Sequence, residues 1–167
     1  MKIVFYTAGG TIDKVYFDAK SSYEVGESKL DDILSEANIT FEYDNKVIMR
    51  KDSLFLSDDD RRMIRDTLKR EPERRIVLTH GTDTMVTTAQ ALQAIKDKII
   101  VVTGSMTPAR FKVSDAVFNI ACAITAVQTL ENGIYIAMNG RIFTPDSVRK
   151  NVQKGVFERV ERKVDGS

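Results

Sequence analysis

Short apolar runs alternate along this chain with stretches in which apolar residues recur every three or four positions, and the two periods predict strands and helices in turn. Ile3, Val4 and Phe5, with Tyr6, make the first run, and Thr7, Ala8, Gly9 and Gly10 then turn the backbone sharply before Thr11. Residues 41–49, 76–78, 99–102 and 134–138 read as further strands. Leu30, Ile33 and Leu34 fall at helical spacing in residues 29–37, with Ser28 as a possible cap. Ser57 followed by Asp58, Asp59 and Asp60 is a helix start running to about residue 69, because a capping hydroxyl and early negative charge both suit a helix N-terminus. Residues 84–95 have helix-forming content, and in residues 114–130 Val117, Ile120, Ala121, Ile124 and Val127 mark one helical face, stopped at Asn132-Gly133. Residues 14–26 mix charge, serine and aromatics without a period and read as a loop of lid length. Residues 147–167 are basic and predict no third layer.

This alternation predicts an α/β three-layer sandwich: a mostly parallel sheet with helices on both faces. The fully apolar run Ile99 to Val102 needs both faces covered and belongs in the middle of the sheet. Parallel order then brings the strand exits after Tyr6, Leu78 and Val102 to one edge, where ligands bind in open α/β sheets.

At 167 residues with 43% hydrophobic content the chain predicts one domain, residues 1–167. Its 25 basic and 24 acidic residues nearly cancel, so no nucleic-acid or membrane partner is called for, and a small neutral or zwitterionic ligand fits better. Cys122 is the only cysteine, which excludes an internal disulfide and a cysteine-built metal site. Without a signal peptide or an apolar span of about 20 residues, the expected location is cytoplasmic.

Two exits carry hydroxyls. Thr11 follows Gly9-Gly10, where N–H groups can approach a ligand without an intervening Cβ; the competing reading is a plain tight turn capped by Thr11. Gly81, Thr82, Asp83 and Thr84 follow the run Ile76 to Leu78 in the same way, so two such exits would face one crevice. Asp58 to Asp60 offer hard-metal carboxylates, but consecutive helical residues point apart, and no metal is expected. His80, the sole histidine, reads as a packed, hydrogen-bonded imidazole in preference to a general base.

Taken together, TAGGTID (residues 7–13) and THGTDTM (residues 79–85) resemble the paired threonine signatures of the bacterial-type L-asparaginases, and the resemblance covers residues 2–157. It implies an asparaginase N-terminal-domain-like fold and cleavage of the side-chain amide of L-asparagine or a close analogue through a threonine acyl-enzyme, with no cofactor. Thr11 matches the nucleophile, Thr82 and Asp83 the second signature, and Lys150 the lysine that partners them. Gly10, Gly81, Ser53, Ser105 and Tyr23 match substrate-binding positions: Ser53 for the α-carboxylate, Ser105 through its main-chain oxygen, and Tyr23 as the lid tyrosine, with Tyr16 its competitor. Asp83 would also take the α-amino group, and the backbone N–H groups of Thr11 and Thr82 would hold the oxyanion.

Two departures stand out. Leu54-Phe55 replaces the small and acidic residues that usually follow the binding serine, which predicts a more apolar pocket wall. The family's C-terminal domain, with its acidic residue, is expected to be absent, and a homo-oligomer is expected to close the crevice. A non-catalytic module binding an acidic amino acid is the alternative. A nucleotide site is disfavoured, since neither G-x-x-x-x-G-K-[ST] nor G-x-G-x-x-G occurs.

Overall fold

The computed structural model describes residues 1–17 and 22–160. In chain order its elements are β1 (Lys2–Thr7), β2 (Lys14–Phe17), β3 (Ser22–Val25), α1 (Leu30–Glu36), β4 (Glu42–Val47), α2 (Asp58–Arg70), β5 (Arg75–Thr79) and α3 (Met85–Leu92). Then come β6 (Ile99–Thr103), α4 (Ala116–Thr129), β7 (Gly133–Met138), β8 (Arg141–Phe143), β9 (Val148–Asn151) and β10 (Val156–Arg159). Six strands form one sheet in the order β4-β1-β5-β6-β7-β8. All neighbours in it are parallel except β7 and β8, which pair antiparallel.

The strand period of two divides the apolar residues between two cores. Val4, Tyr6, Ile76, Leu78, Ile100 and Val102 pack with Ile64 and Leu68 of α2 and Met85, Ala89 and Leu92 of α3. Ile3, Phe5, Val77, Ile99 and Val101 face the other way, onto Leu30 and Leu34 of α1 and Ala116, Ile120, Ala123 and Val127 of α4. The central strand β6 is therefore buried on both sides, as its unbroken apolar run requires. Each such fully buried aliphatic side chain contributes about 1.5–3 kcal/mol.

The start signal of α2 is realised, whereas α4 ends at Thr129 and Gly133, expected at the helix stop, opens β7. Ser57 accepts from Asp60 N at 3.2 Å while Asp60 Oδ2 accepts from Ser57 N at 2.8 Å, a reciprocal capping box. Ser28 Oγ accepts from Leu30 N at 3.2 Å, although Lys29 occupies the cap position itself. The three aspartates turn to cations instead of sharing a ligand: Asp58 to Arg61, Asp59 to Arg62 and Asp60 to Lys51.

Three expectations are corrected by tertiary packing. Within residues 14–26, β2 and β3 form an antiparallel hairpin where a loop is expected; residues 18–21, between them, lie outside the described residues. The buried stripe of α4 is Ala116, Asn119, Ile120, Ala123, Ala126 and Val127, whereas Val117 is 54% exposed and Ala121 also faces solvent. Small residues let this helix sit close to the sheet, so the alanines mark the packed face better than the larger Val117. Finally, β9 and β10 pair antiparallel and bury Val148 and Phe157 on the α2–α3 side of the sheet, giving structure to residues 147–160. Residues 161–167 of that segment lie outside the described residues. No helix among the described residues is long and apolar enough to cross a membrane.

Candidate active site

Parallel pairing of β1, β5 and β6 places their exits side by side, and backbone bonds continue the alignment past the strand ends. Ala8 N donates to Thr79 O at 3.0 Å, and His80 N donates to Thr103 O at 2.9 Å. The two threonine loops then touch through their glycines. Gly10, at φ +111°, lies so near the second loop that a Cβ there would stand 2.4 Å from Gly81 N. Thr11 and Thr82, each next in sequence, therefore leave one shared contact. Thr11 begins a short 3-10 turn, Thr11–Asp13, and is half-buried.

A third loop closes on the same point. A Cβ on Gly81 would meet Ser53 Oγ at 2.4 Å, and one on Gly9 would meet Lys51 N at 2.6 Å. Ser53 is 1% exposed, and its Oγ has no protein partner, an unusual state for a buried hydroxyl. Its backbone is held by Thr84 Oγ1, which donates to Ser53 O at 2.9 Å. Asp52 caps the following turn by accepting from Leu54 N at 3.1 Å and pairs with Lys14 Nζ at 2.8 Å, so the hairpin and the serine turn are strapped together. Leu54 and Phe55, however, are 65% and 74% exposed. They stand at the rim and do not form the apolar pocket wall expected of them, because the cap at Asp52 turns the chain outward after Ser53.

Lys150 arrives from β9. Its Nζ donates to Thr82 Oγ1 at 2.8 Å and to Asp83 Oδ1 at 2.7 Å, with the lysine side chain only 14% exposed. The hairpin that carries it is held by Asn139 Oδ1, which accepts from Phe157 N at 2.7 Å, and Asn139 takes φ +54° at the β7–β8 turn. A hydroxyl, an ammonium and a carboxylate are thus in one hydrogen-bonded line, an arrangement suited to moving a proton.

His80 is fully buried and spent on the framework. The Gly81 carbonyl can only accept, so Nδ1 carries the proton and donates to it at 2.7 Å, while Nε2 accepts from Thr88 Oγ1 at 2.8 Å. Burial pushes its pKa down to about 4, opposed by the Gly81 hydrogen bond and aided by the nearby Arg61 charge.

Ser105 is also buried, at the exit of β6, and its Oγ donates to Thr107 O. Sequence reasoning does not single out what holds this loop. Asp115 accepts from Met106 N at 3.0 Å and from Thr107 N at 3.1 Å, and Asn119 Nδ2 donates to both Asp115 Oδ2 and Gly104 O at 2.9 Å. The available signal is Ser114-Asp115 ahead of an apolar helix with Asn119 one turn on. Tyr16 and Tyr23 turn out to be cross-strand partners on the hairpin, each 49% exposed.

The asparaginase N-terminal family model matches residues 2–159. A glutaminase-asparaginase of Acinetobacter glutaminasificans is 29% identical over 168 residues, covering 90% of this chain and 50% of that protein. An L-asparaginase of Thermococcus kodakarensis is 35% identical over 162 residues, covering 90% of this chain and 48% of that protein. The solved thermostable L-asparaginase from Thermococcus kodakarensis superposes with a TM-score of 0.83 over 96% of this chain and 51% of that one, at 29% identity in the superposition. The chain thus spans about half the length of the relatives it matches. With both threonine loops and Lys150 inside the matched residues, this chain belongs to the asparaginase family and corresponds to its N-terminal domain.

Proposed function

We propose that this protein is an amidohydrolase acting on the side-chain amide of L-asparagine or a close analogue, with Thr11 as the nucleophile. The observation that supports this is Lys150 Nζ seated between Thr82 Oγ1 and Asp83 Oδ1, a contact made by residues 67 and 68 positions apart. A threonine hydroxyl needs a neighbouring group to take its proton, and the Thr82–Lys150 pair, oriented by Asp83, serves that need. Thr11 Oγ1 attacks the amide carbon; its proton passes through the Thr82 hydroxyl to Lys150 Nζ, which enters this step as the free amine, and from the ammonium so formed to the departing ammonia. Water then cleaves the ester, releasing aspartate and restoring the hydroxyl. Backbone N–H groups of Thr11 and Thr82 hold the developing oxyanion, each worth about 10²–10³ in rate. The buried, unpartnered Oγ of Ser53 is the group that binds the substrate's α-carboxylate, and Gly10 and Gly81, by lacking a Cβ, let the three loops close together around that point. Asp83, 39% exposed, takes the α-amino group. The carbonyl of Ser105 receives the amide nitrogen, and Tyr23 closes over the whole.

Self-association belongs to the same reading, since Val117 and Phe118 leave apolar surface exposed on α4. Ammonia release from asparagine, glutamine and other amides, measured for wild type, Thr11→Val and Thr82→Val, tests the chemistry. Turnover in wild type, lost in both variants, is the expected result. Binding of L-aspartate without turnover of any amide would instead make the chain a binding module. Turnover untouched by both changes would remove the roles given to the two threonines.

A further inference from the structure

Three exposed rings stand in a row along the hairpin and the loop that follows β6. Tyr16 of β2 and Tyr23 of β3 face each other across the hairpin with centroids 5.2 Å apart, and Tyr23 continues to Phe111 at 6.1 Å, with the rings tilted by 52°. Phe111 does not belong to the hairpin. It lies in the loop between β6 and α4, the loop that begins at Gly104-Ser105. Two bonds fix its base: Ala109 N donates to Ile12 O at 3.0 Å, beside Thr11, and Phe111 N donates to Pro108 O at 3.1 Å. Asp115 and Asn119 anchor the far side of the same loop.

Among the described residues the hairpin pairs with no strand of the six-stranded sheet, and at its root Gly26 N donates to Asp13 O at 2.8 Å. Lys14 is strapped to Asp52 there as well. Further out, the described ring contact to a well-held element is the one between Tyr23 and Phe111. A two-stranded ribbon is marginal without such support.

We infer that Phe111 is a positioning residue that docks the Tyr16–Tyr23 hairpin against the β6–α4 loop, so that closure of the lid is set from the loop that carries Ser105. This rests on the lid role proposed for Tyr23: Tyr23 touches the latch and Tyr16 backs Tyr23. Phe111 touches no reacting atom. Its effect is on the ratio of docked to open hairpin, and one aromatic pair of this kind shifts such a ratio by about two- to tenfold.

Hydrogen exchange of the unliganded protein tests the contact without needing a substrate. In Phe111→Ala the amides of β2 and β3 are expected to exchange about two- to tenfold faster than in wild type. Those of β5, β6 and α4 stay unchanged, and Phe111→Tyr restores wild-type protection. Unchanged hairpin exchange, or acceleration spread over the whole sheet, overturns the inference, as does failure of the tyrosine to restore it. The chain has no tryptophan, so Phe111→Trp adds a single indole whose emission should change when Tyr23→Ala removes its neighbour; no change overturns the contact. For asparagine turnover, loss of docking lowers the docked fraction alike for ground and transition states, so Phe111→Ala should raise KM by no more than that factor and leave kcat unchanged. A fall in kcat at constant KM would overturn the positioning role. If wild type hydrolyses no amide, the hydrolase proposal fails while the exchange and emission results still decide whether Phe111 docks the hairpin.

Discussion

Replacing Lys150 by methionine removes the ammonium from the Thr82–Asp83 pair and leaves a side chain of similar reach to fill the same space. The wild-type Nζ makes two bonds, at 2.8 Å to buried Thr82 and 2.7 Å to Asp83, whose side chain is 39% exposed. The first, a charge-assisted hydrogen bond, contributes about 1.5–3 kcal/mol. The second is partly screened by solvent and adds less than about 1 kcal/mol. Folding stability should fall by about 2–3 kcal/mol, which for a chain of this size lowers Tm by about 4–12 °C. Against an ordinary stability of about 5–15 kcal/mol, the variant remains folded at 25 °C. Catalysis suffers more. A positioned proton-transfer group supplies about 10²–10⁴ in rate, or about 3–5.5 kcal/mol of barrier. The assay pairs a thermal melt by circular dichroism with continuous ammonia release from asparagine. Lys150→Arg serves as the control, since it keeps the charge and much of the fold while guanidinium does not accept a proton. Either variant retaining more than about a tenth of wild-type kcat while folded would refute the role assigned to this lysine.

Two further outcomes follow from the packing around Thr11. Gly10→Ala places a methyl 2.4 Å from Gly81 N at φ +111°, a conformation costly for any L side chain, so it should destabilise the fold by at least about 2 kcal/mol and abolish turnover; near-wild-type melting would mean that the two loops are not in contact. Asp13 is 1% exposed, and burial pushes its carboxyl up from 3.8 to about 6, against the hydrogen bond from Lys29 N that favours the charged form. Between those values the native state binds more protons than the unfolded chain, so this group's contribution is greatest at low pH and is lost as pH rises through about 6, to the extent of about 3 kcal/mol. Asp13→Asn should therefore be the more stable protein at pH 7.5 and lose that advantage near pH 4, as read from urea midpoints; equal midpoints at both pH values would contradict the account.

Much of this molecule is written in local order along the chain. Apolar runs of strand length, the Ser57-Asp-Asp-Asp start and the glycines at the strand exits each depend on neighbours a few residues away, so the sandwich and the two threonine loops are legible without coordinates. The meeting of Lys150 with Thr82 is legible only through the family resemblance, because nothing near Lys150 by itself distinguishes it from Arg149 or Lys154; the pairing of β9 with β10 and the Asn139 anchor aim it inward. The hairpin of β2 and β3 likewise has no period to reveal it, since its tyrosines are placed by each other and by Phe111. The buried face of α4 and the outward turn of Leu54 and Phe55 depend on how closely a helix fits the sheet and where a cap sends the chain. Sequence determined the parallel strands, the helices that cover them and the residue types at the strand exits. Tertiary structure decided which side chains meet, because a contact across 68 positions is set by the packing of the elements between and leaves no trace in either residue's neighbourhood.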